Sequence, residues 1–236
     1  MKHEIFAYSS VRGSIHEKNN TENQDSYIIK RYSFGTILVV ADGLGSKKHA
    51  AWGAKSACKA VCKAVQIWND YSYRDIRLLL PLIHSLWFME IYPYTYRECA
   101  CTCLFALIHK DGNVYVGQLG DGSIYVDIDG NLSLVHEKEE DFSNLTACLG
   151  GSSLDKWVVR SYRLKTYARI ILMTDGISES LVPEKKIDFV NRIWKSIIGI
   201  QSLNKRNNYI FQLINEWEQN NAGDDRTLLS YEIIKG

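Results

Sequence analysis

Apolar and polar positions fall into short blocks along this chain, separated by Gly, Asp and Asn turns. Residues 4–9 and 26–33 alternate or cluster β-forming side chains and predict strands. Residues 36–41 run Thr-Ile-Leu-Val-Val-Ala without a charge and predict a buried strand. The period then changes. From His49 to Trp68, Ala54, Ala57, Cys58, Val61, Cys62 and Val65 recur at helical spacing. A second helix is predicted over about Arg74 to Tyr92, with Pro81 either delaying its start or kinking it. Strands follow at 101–109 and 113–119 around the turn Lys110-Asp111-Gly112-Asn113. Others fit 123–128 and 131–136 around Asp129-Gly130, then 157–164 and 168–174. Two helices fit about 184–199 and 206–219, and a last strand fits 227–234. Antiparallel hairpins with helices in separate blocks define an α+β class. No repeat, linker or low-complexity segment interrupts the pattern, so residues 1–236 are expected to form one domain.

Composition narrows the function classes. The formal net charge is +1 and no basic tract occurs, so nucleic acid is not suggested. The longest uncharged apolar stretch, Leu78 to Met89, is too short to span a bilayer. No secretory signal follows Met1-Lys2-His3-Glu4, and six cysteines without one favour reduced thiols in the cytoplasm. Cys99, Cys101 and Cys103 alternate as on one face of a strand, and no Cys-x-x-Cys pair is present. These thiols are expected to be small buried hydrophobes rather than zinc ligands.

The candidate chemistry lies in acids set beside glycine or small polar residues. They occur at Asn23-Gln24-Asp25, Ala41-Asp42-Gly43-Leu44-Gly45, Gly120-Asp121-Gly122-Ser123, Thr174-Asp175-Gly176-Ile177-Ser178-Glu179 and Gly223-Asp224-Asp225-Arg226-Thr227. Asp42 and Asp175 end apolar runs that read as core strands. A carboxylate there is costly to desolvate without compensation, and lysine and arginine are scarce beside it. An oxygen-lined site for a hard divalent cation is the alternative to a series of plain strand-end turns.

The ordered series resembles the PP2C-type metal-dependent protein serine/threonine phosphatases, over almost the whole chain. Ser10-Val11-Arg12-Gly13-Ser14-Ile15-His16 with Asn23-Gln24-Asp25 is similar to the first acidic motif, in the bacterial form with Gln before Asp. Val40-Ala41-Asp42-Gly43-Leu44-Gly45 is similar to the second. Cys101-Thr102-Cys103-Leu104 with Leu119-Gly120-Asp121-Gly122-Ser123 resembles the third. Leu145-Thr146-Ala147-Cys148-Leu149-Gly150-Gly151 resembles the segment that closes the family's flap. Met173-Thr174-Asp175-Gly176 and Asp224-Asp225-Arg226-Thr227 complete the series.

The resemblance implies a four-layer sandwich, two stacked antiparallel sheets flanked by helices. It implies hydrolysis of phosphoserine or phosphothreonine by direct attack of metal-bound hydroxide, with two manganese or magnesium ions and a weaker third. Asp42 would bridge the pair and the Gly43 carbonyl would bind one ion. Asp175 and Asp224 would be further ligands, with Asp225 a neighbour hydrogen-bonding locally. Asp25 would bind metal directly or through water, against a capping or turn role. Asp121 and Glu179 match the acids of the third site, against solvated strand-end acids. The family's phosphate-gripping arginine falls at Asn20 here, leaving Arg12 and His16 as the nearby groups that could replace it. Leu44 stands where the eukaryotic branch has a histidine. The acidic stretch between His136 and Leu149 would be a flap disfavouring acidic peptides, or a plain solvated loop. The implied partner is a phosphoprotein, a serine/threonine kinase or its target. The alternative is a non-catalytic phosphoprotein-binding or regulatory module on the same fold.

Overall fold

The computed structural model describes residues 3–71, 75–136, 146–216 and 223–235. Two five-stranded antiparallel sheets are stacked on one another. The first has the order β1 (His3–Val11), β10 (Arg226–Ile234), β9 (Tyr167–Met173), β6 (Ser123–Ile128), β7 (Asn131–Leu134). The second has the order β2 (Asp25–Tyr32), β3 (Gly35–Asp42), β4 (Cys103–His109), β5 (Asn113–Leu119), β8 (Val158–Arg163). Six helices complete the described part: α1 (Ser14–Lys18), α2 (Ala50–Asp70), α3 (Leu79–Glu90), α4 (Asp175–Ser178), α5 (Lys186–Ile198) and α6 (Leu203–Asn215).

The period of two along each strand sorts side chains into layers. Leu38 and Val40 of β3 face inward and join Leu104, Ala106, Ile170, Leu172, Leu229 and Tyr231 between the sheets. Ile37, Val39 and Ala41 face outward and meet Ala57, Val61 and Val65 of α2 and Leu79, Ile83 and Trp87 of α3. On the opposite side, Ile5, Ala7, Ile171 and Met173 are covered by Phe189, Ile193, Trp194 and Ile197 of α5 and Ile210 and Ile214 of α6. The resulting helix–sheet–sheet–helix arrangement is the expected α+β sandwich. It also explains the uncharged runs of β3 and β9, which are buried on both faces.

Boundaries differ from expectation in instructive places. Pro81 is the third residue of α3, within a first turn whose N–H groups have no helical acceptor anyway. The helix therefore starts late, after a 3₁₀ turn at Ile76–Leu78, rather than kinking. Arg74 lies outside the described residues, as does the end predicted for the last helix, which begins earlier than expected, at Leu203. β4 starts at Cys103 because Cys101 instead bridges Gly43 on one side and Leu149 on the other. The five residues of α1 are too few to write a period and were not foreseen. All six cysteines are buried and free.

Candidate metal centre

The strand pairing brings the acidic segments to one end of the two sheets. Asp25 opens β2 directly opposite Asp42, the last residue of β3. In the other sheet, Met173 pairs with Leu228 on one side and Ser123 on the other, so the chain entering Asp175, leaving Asp224 and leaving Asp121 meets there. The backbone of Asp42 is pinned twice by the buried Thr102. Its N–H donates to Thr102 Oγ1 at 2.9 Å, and the Thr102 N–H donates to its carbonyl at 2.7 Å. Gly43 donates its N–H to the Gln24 carbonyl at 3.1 Å, tying the two loops together. A Cβ at Gly43 would lie 2.5 Å from the Ala50 backbone at the start of α2, so close helix packing already demands glycine there.

A layer of threonines supports Asp25. Thr174 Oγ1 donates to Asp25 Oδ2 at 2.9 Å and accepts from the Thr227 N–H at 3.0 Å. Asp175 is the first residue of the short helix α4, and its Oδ1 accepts from the Gly176 N–H at 2.8 Å. Glu179 follows one turn later, with its N–H on the Asp175 carbonyl at 2.9 Å. Thr146 Oγ1 donates to Asp121 Oδ2 at 2.7 Å. Ile15, His16, Asp175, Gly176, Glu179, Gly223 and Asp224 line a cleft of about 410 Å³. Glu179 also lines an adjoining cavity of about 700 Å³, where Asp121 lies.

The electrostatics are those of anions without a counter-ion. Burial, then the charges of Asp25, Asp175 and Asp224, holds the Asp42 carboxyl well above the usual carboxylate range. Burial, together with the charge of Asp225, pushes Asp25 up to about 8. Asp175 is pushed to about 7 by burial and by Asp121, Asp224 and Glu179. Asp224, open to the cleft, is raised too, chiefly by desolvation among its neighbours. Among the described residues, no lysine or arginine pairs with any of these four acids. Two buried oxygens beside them, Asp25 Oδ1 and Gln24 Oε1, have no hydrogen-bond partner among the described residues. Hard oxygen donors, repelling carboxylates and orphaned acceptors together suit manganese or magnesium. Asp25, Asp42, Asp175 and Asp224 could hold a cation pair with the Gly43 carbonyl. Asp121 and Glu179, on the side of the larger cavity, could hold another.

Asp225 corrects the sequence reading. Its carboxylate does not bond locally. It accepts from the Gly13 N–H at 2.7 Å, the Gln24 N–H at 2.6 Å and His16 Nδ1 at 2.9 Å, all about two hundred residues away in sequence. The register of β1 on β10, which ends at Val11 and Arg226, brings Gly13 and His16 to Asp225. His16, Asp224 and Asp225 also form a cluster that could hold an ion, but both oxygens of Asp225 are engaged, so it serves as an anchor. The two candidates for the phosphate contact separate. His16 lines the cleft. Arg12 does not; its exposed guanidinium donates to the Thr21 carbonyl at 3.4 Å. Thr102, Thr174 and Thr227 were missed, because a hydroxyl in or beside a strand carries no sequence signature of its partner. The acidic flap residues 137–145 lie outside the described residues.

A family model for protein phosphatase 2C matches residues 12–206, and the chain belongs to that family. Its fold is shared with solved structures at low identity. The catalytic domain of the serine/threonine phosphatase PstP, in complex with two manganese ions, superposes with a TM-score of 0.65 at 17% identity, over 100% of both chains. RsbX in complex with magnesium gives 0.62 at 15% identity, covering 98% of this chain and 96% of the other. The photosystem II phosphatase PBCP gives 0.68 at 13% identity, over 99% of both chains. No protein of curated function matches the sequence. No helix among the described residues is long and apolar enough to cross a membrane.

Proposed function

We propose that residues 1–236 form one metal-dependent phosphatase domain that removes phosphate from serine or threonine of a cytosolic phosphoprotein, a kinase or its target. The observation that carries this reading is the convergence of Asp25, Asp42, Asp175 and Asp224, raised in pKa and lacking a lysine or arginine partner among the described residues. The manganese and magnesium seen with PstP and RsbX support the choice of ion. Two such cations would acidify a water and offset the charge of the phosphoryl oxygens.

The chain's own part is positioning. Thr102 fixes the backbone of Asp42, which would hold the cations, and the Thr174–Thr227 layer fixes Asp25. Asp225 holds the His16 ring by Nδ1 at the cleft wall, where the ring can contact the phosphoryl group that an arginine at position 20 would have gripped. Leu44 has no proton to give the leaving alkoxide, and water in the cleft is the donor in this reading.

The second reading, a non-catalytic binding module, is favoured by Asn20 and Gln24, which remove a cation and an anion from the site. Hydrolysis of p-nitrophenyl phosphate separates the two. An enzyme turns over in manganese and stops on chelation; a module binds manganese and shows no turnover.

A further inference from the structure

The cavity beside the carboxylate cleft is about 700 Å³, within the range of about 300–1,000 Å³ typical of ligand sites. One wall is the hairpin of β6 and β7, which presents Tyr125, Leu132 and Leu134. Another part of the lining is the entry to α5, with Pro183 and Ile187. Glu179 belongs to both the cavity and the 410 Å³ cleft, so the two spaces adjoin. The rest of the lining is polar, with Asp121, Glu179, Lys186, His136 and Gln118, so the five apolar side chains form one part of a mixed cavity. Ile187 is 56% exposed, a large aliphatic side chain held at the edge of a cavity rather than in the core.

We propose that this cavity receives an apolar side chain of the phosphoprotein, from a residue within three positions of the phosphoserine. This rests on the phosphatase reading. An extended segment advances about 3.3 Å per residue and alternates its side chains. A phosphoserine seated in the cleft therefore sends a near neighbour into the adjoining space.

The test is steady-state kinetics in manganese on phosphoserine peptides. One leucine is moved through the three positions on either side of the phosphoserine in an alanine background, with p-nitrophenyl phosphate as the substrate that has no flanking chain. At one or more positions leucine should lower KM by about tenfold or more relative to the all-alanine peptide. Ile187→Asp should remove most of that preference and leave kcat/KM for p-nitrophenyl phosphate unchanged, with Ile187→Val retaining it. Equal KM for all peptides, or a leucine preference that survives Ile187→Asp, would overturn the subsite while leaving the phosphatase reading intact. Failure of the wild-type protein on p-nitrophenyl phosphate would remove both.

Discussion

Replacing Asp225 with alanine should be among the most damaging changes outside the acids that face the cleft. Its carboxylate is 1% exposed and accepts three hydrogen bonds, from Gly13 N–H, Gln24 N–H and His16 Nδ1. Alanine leaves the two backbone donors without an acceptor in a buried setting, at about 1–3 kcal/mol each, and releases the His16 ring as well. The sum is about 3–6 kcal/mol, a large part of an ordinary stability of about 5–15 kcal/mol. For a chain of this size that is a fall in melting temperature on the order of 10 °C. Function should fall further than stability. The same bonds dock the segment around Gly13 and Gln24 onto the loop carrying Asp224, and Gln24 in turn holds Gly43 beside Asp42. Asp225→Asn keeps an acceptor for one donor and should lie between alanine and wild type. Urea denaturation in chelator gives the stability, and calorimetric titration with manganese gives the site. An Asp225→Ala protein within about 1 kcal/mol of wild type, with undiminished manganese affinity, would refute the anchoring role.

Three further outcomes follow from the same geometry. In metal-free protein, Asp25 near 8 and Asp175 near 7 hold their protons more tightly folded than unfolded. Stability should therefore fall as pH rises from about 4 to 8, so the urea midpoint should be lower at pH 8 than at pH 5.5 and should recover with manganese; a midpoint that climbs with pH contradicts this. Asp42→Ala and Asp175→Ala should each reduce turnover to background while the metal-free protein melts no lower than wild type, because a repelling charge is gone; near-normal turnover in either removes it from the site. Burial pushes the Cys58 thiol up to about 12 and holds Cys101 and Cys103 well above their ordinary value, so iodoacetamide should spare the activity of folded protein, and acid quench should trap no phosphoprotein; a labelled phosphoprotein would overturn direct attack.

The parts of this molecule that the sequence reveals are those written locally. β3 and β9 are legible because burial on both faces forces an unbroken apolar run, and the aspartate that ends each run is conspicuous for that reason. α2 is legible through its small apolar stripe, which packs on β3. What cannot be read locally is pairing at a distance. The clamp at Asp225 depends on the register of the first strand against the last, which an Asp-Asp dipeptide does not encode. Thr102 looks like any strand threonine until β3 and β4 are laid side by side. Nothing in the sequence shows why position 43 must be glycine; the backbone of Ala50 excludes a side chain there. Arg12 and His16 were equivalent in sequence; the turn into α1 sends one to solvent and the other to the cleft.

The central claim is that the carboxylates at the sheet ends hold the cations that make this chain a phosphatase. Its most direct test is the initial rate of phosphate release from a phosphoserine peptide as manganese is titrated into metal-free wild-type protein. The expected result is no release without metal and a saturable rise with it, reversed by chelator. A rate indifferent to manganese, or none at any concentration although the metal binds and raises the melting temperature, would contradict the claim.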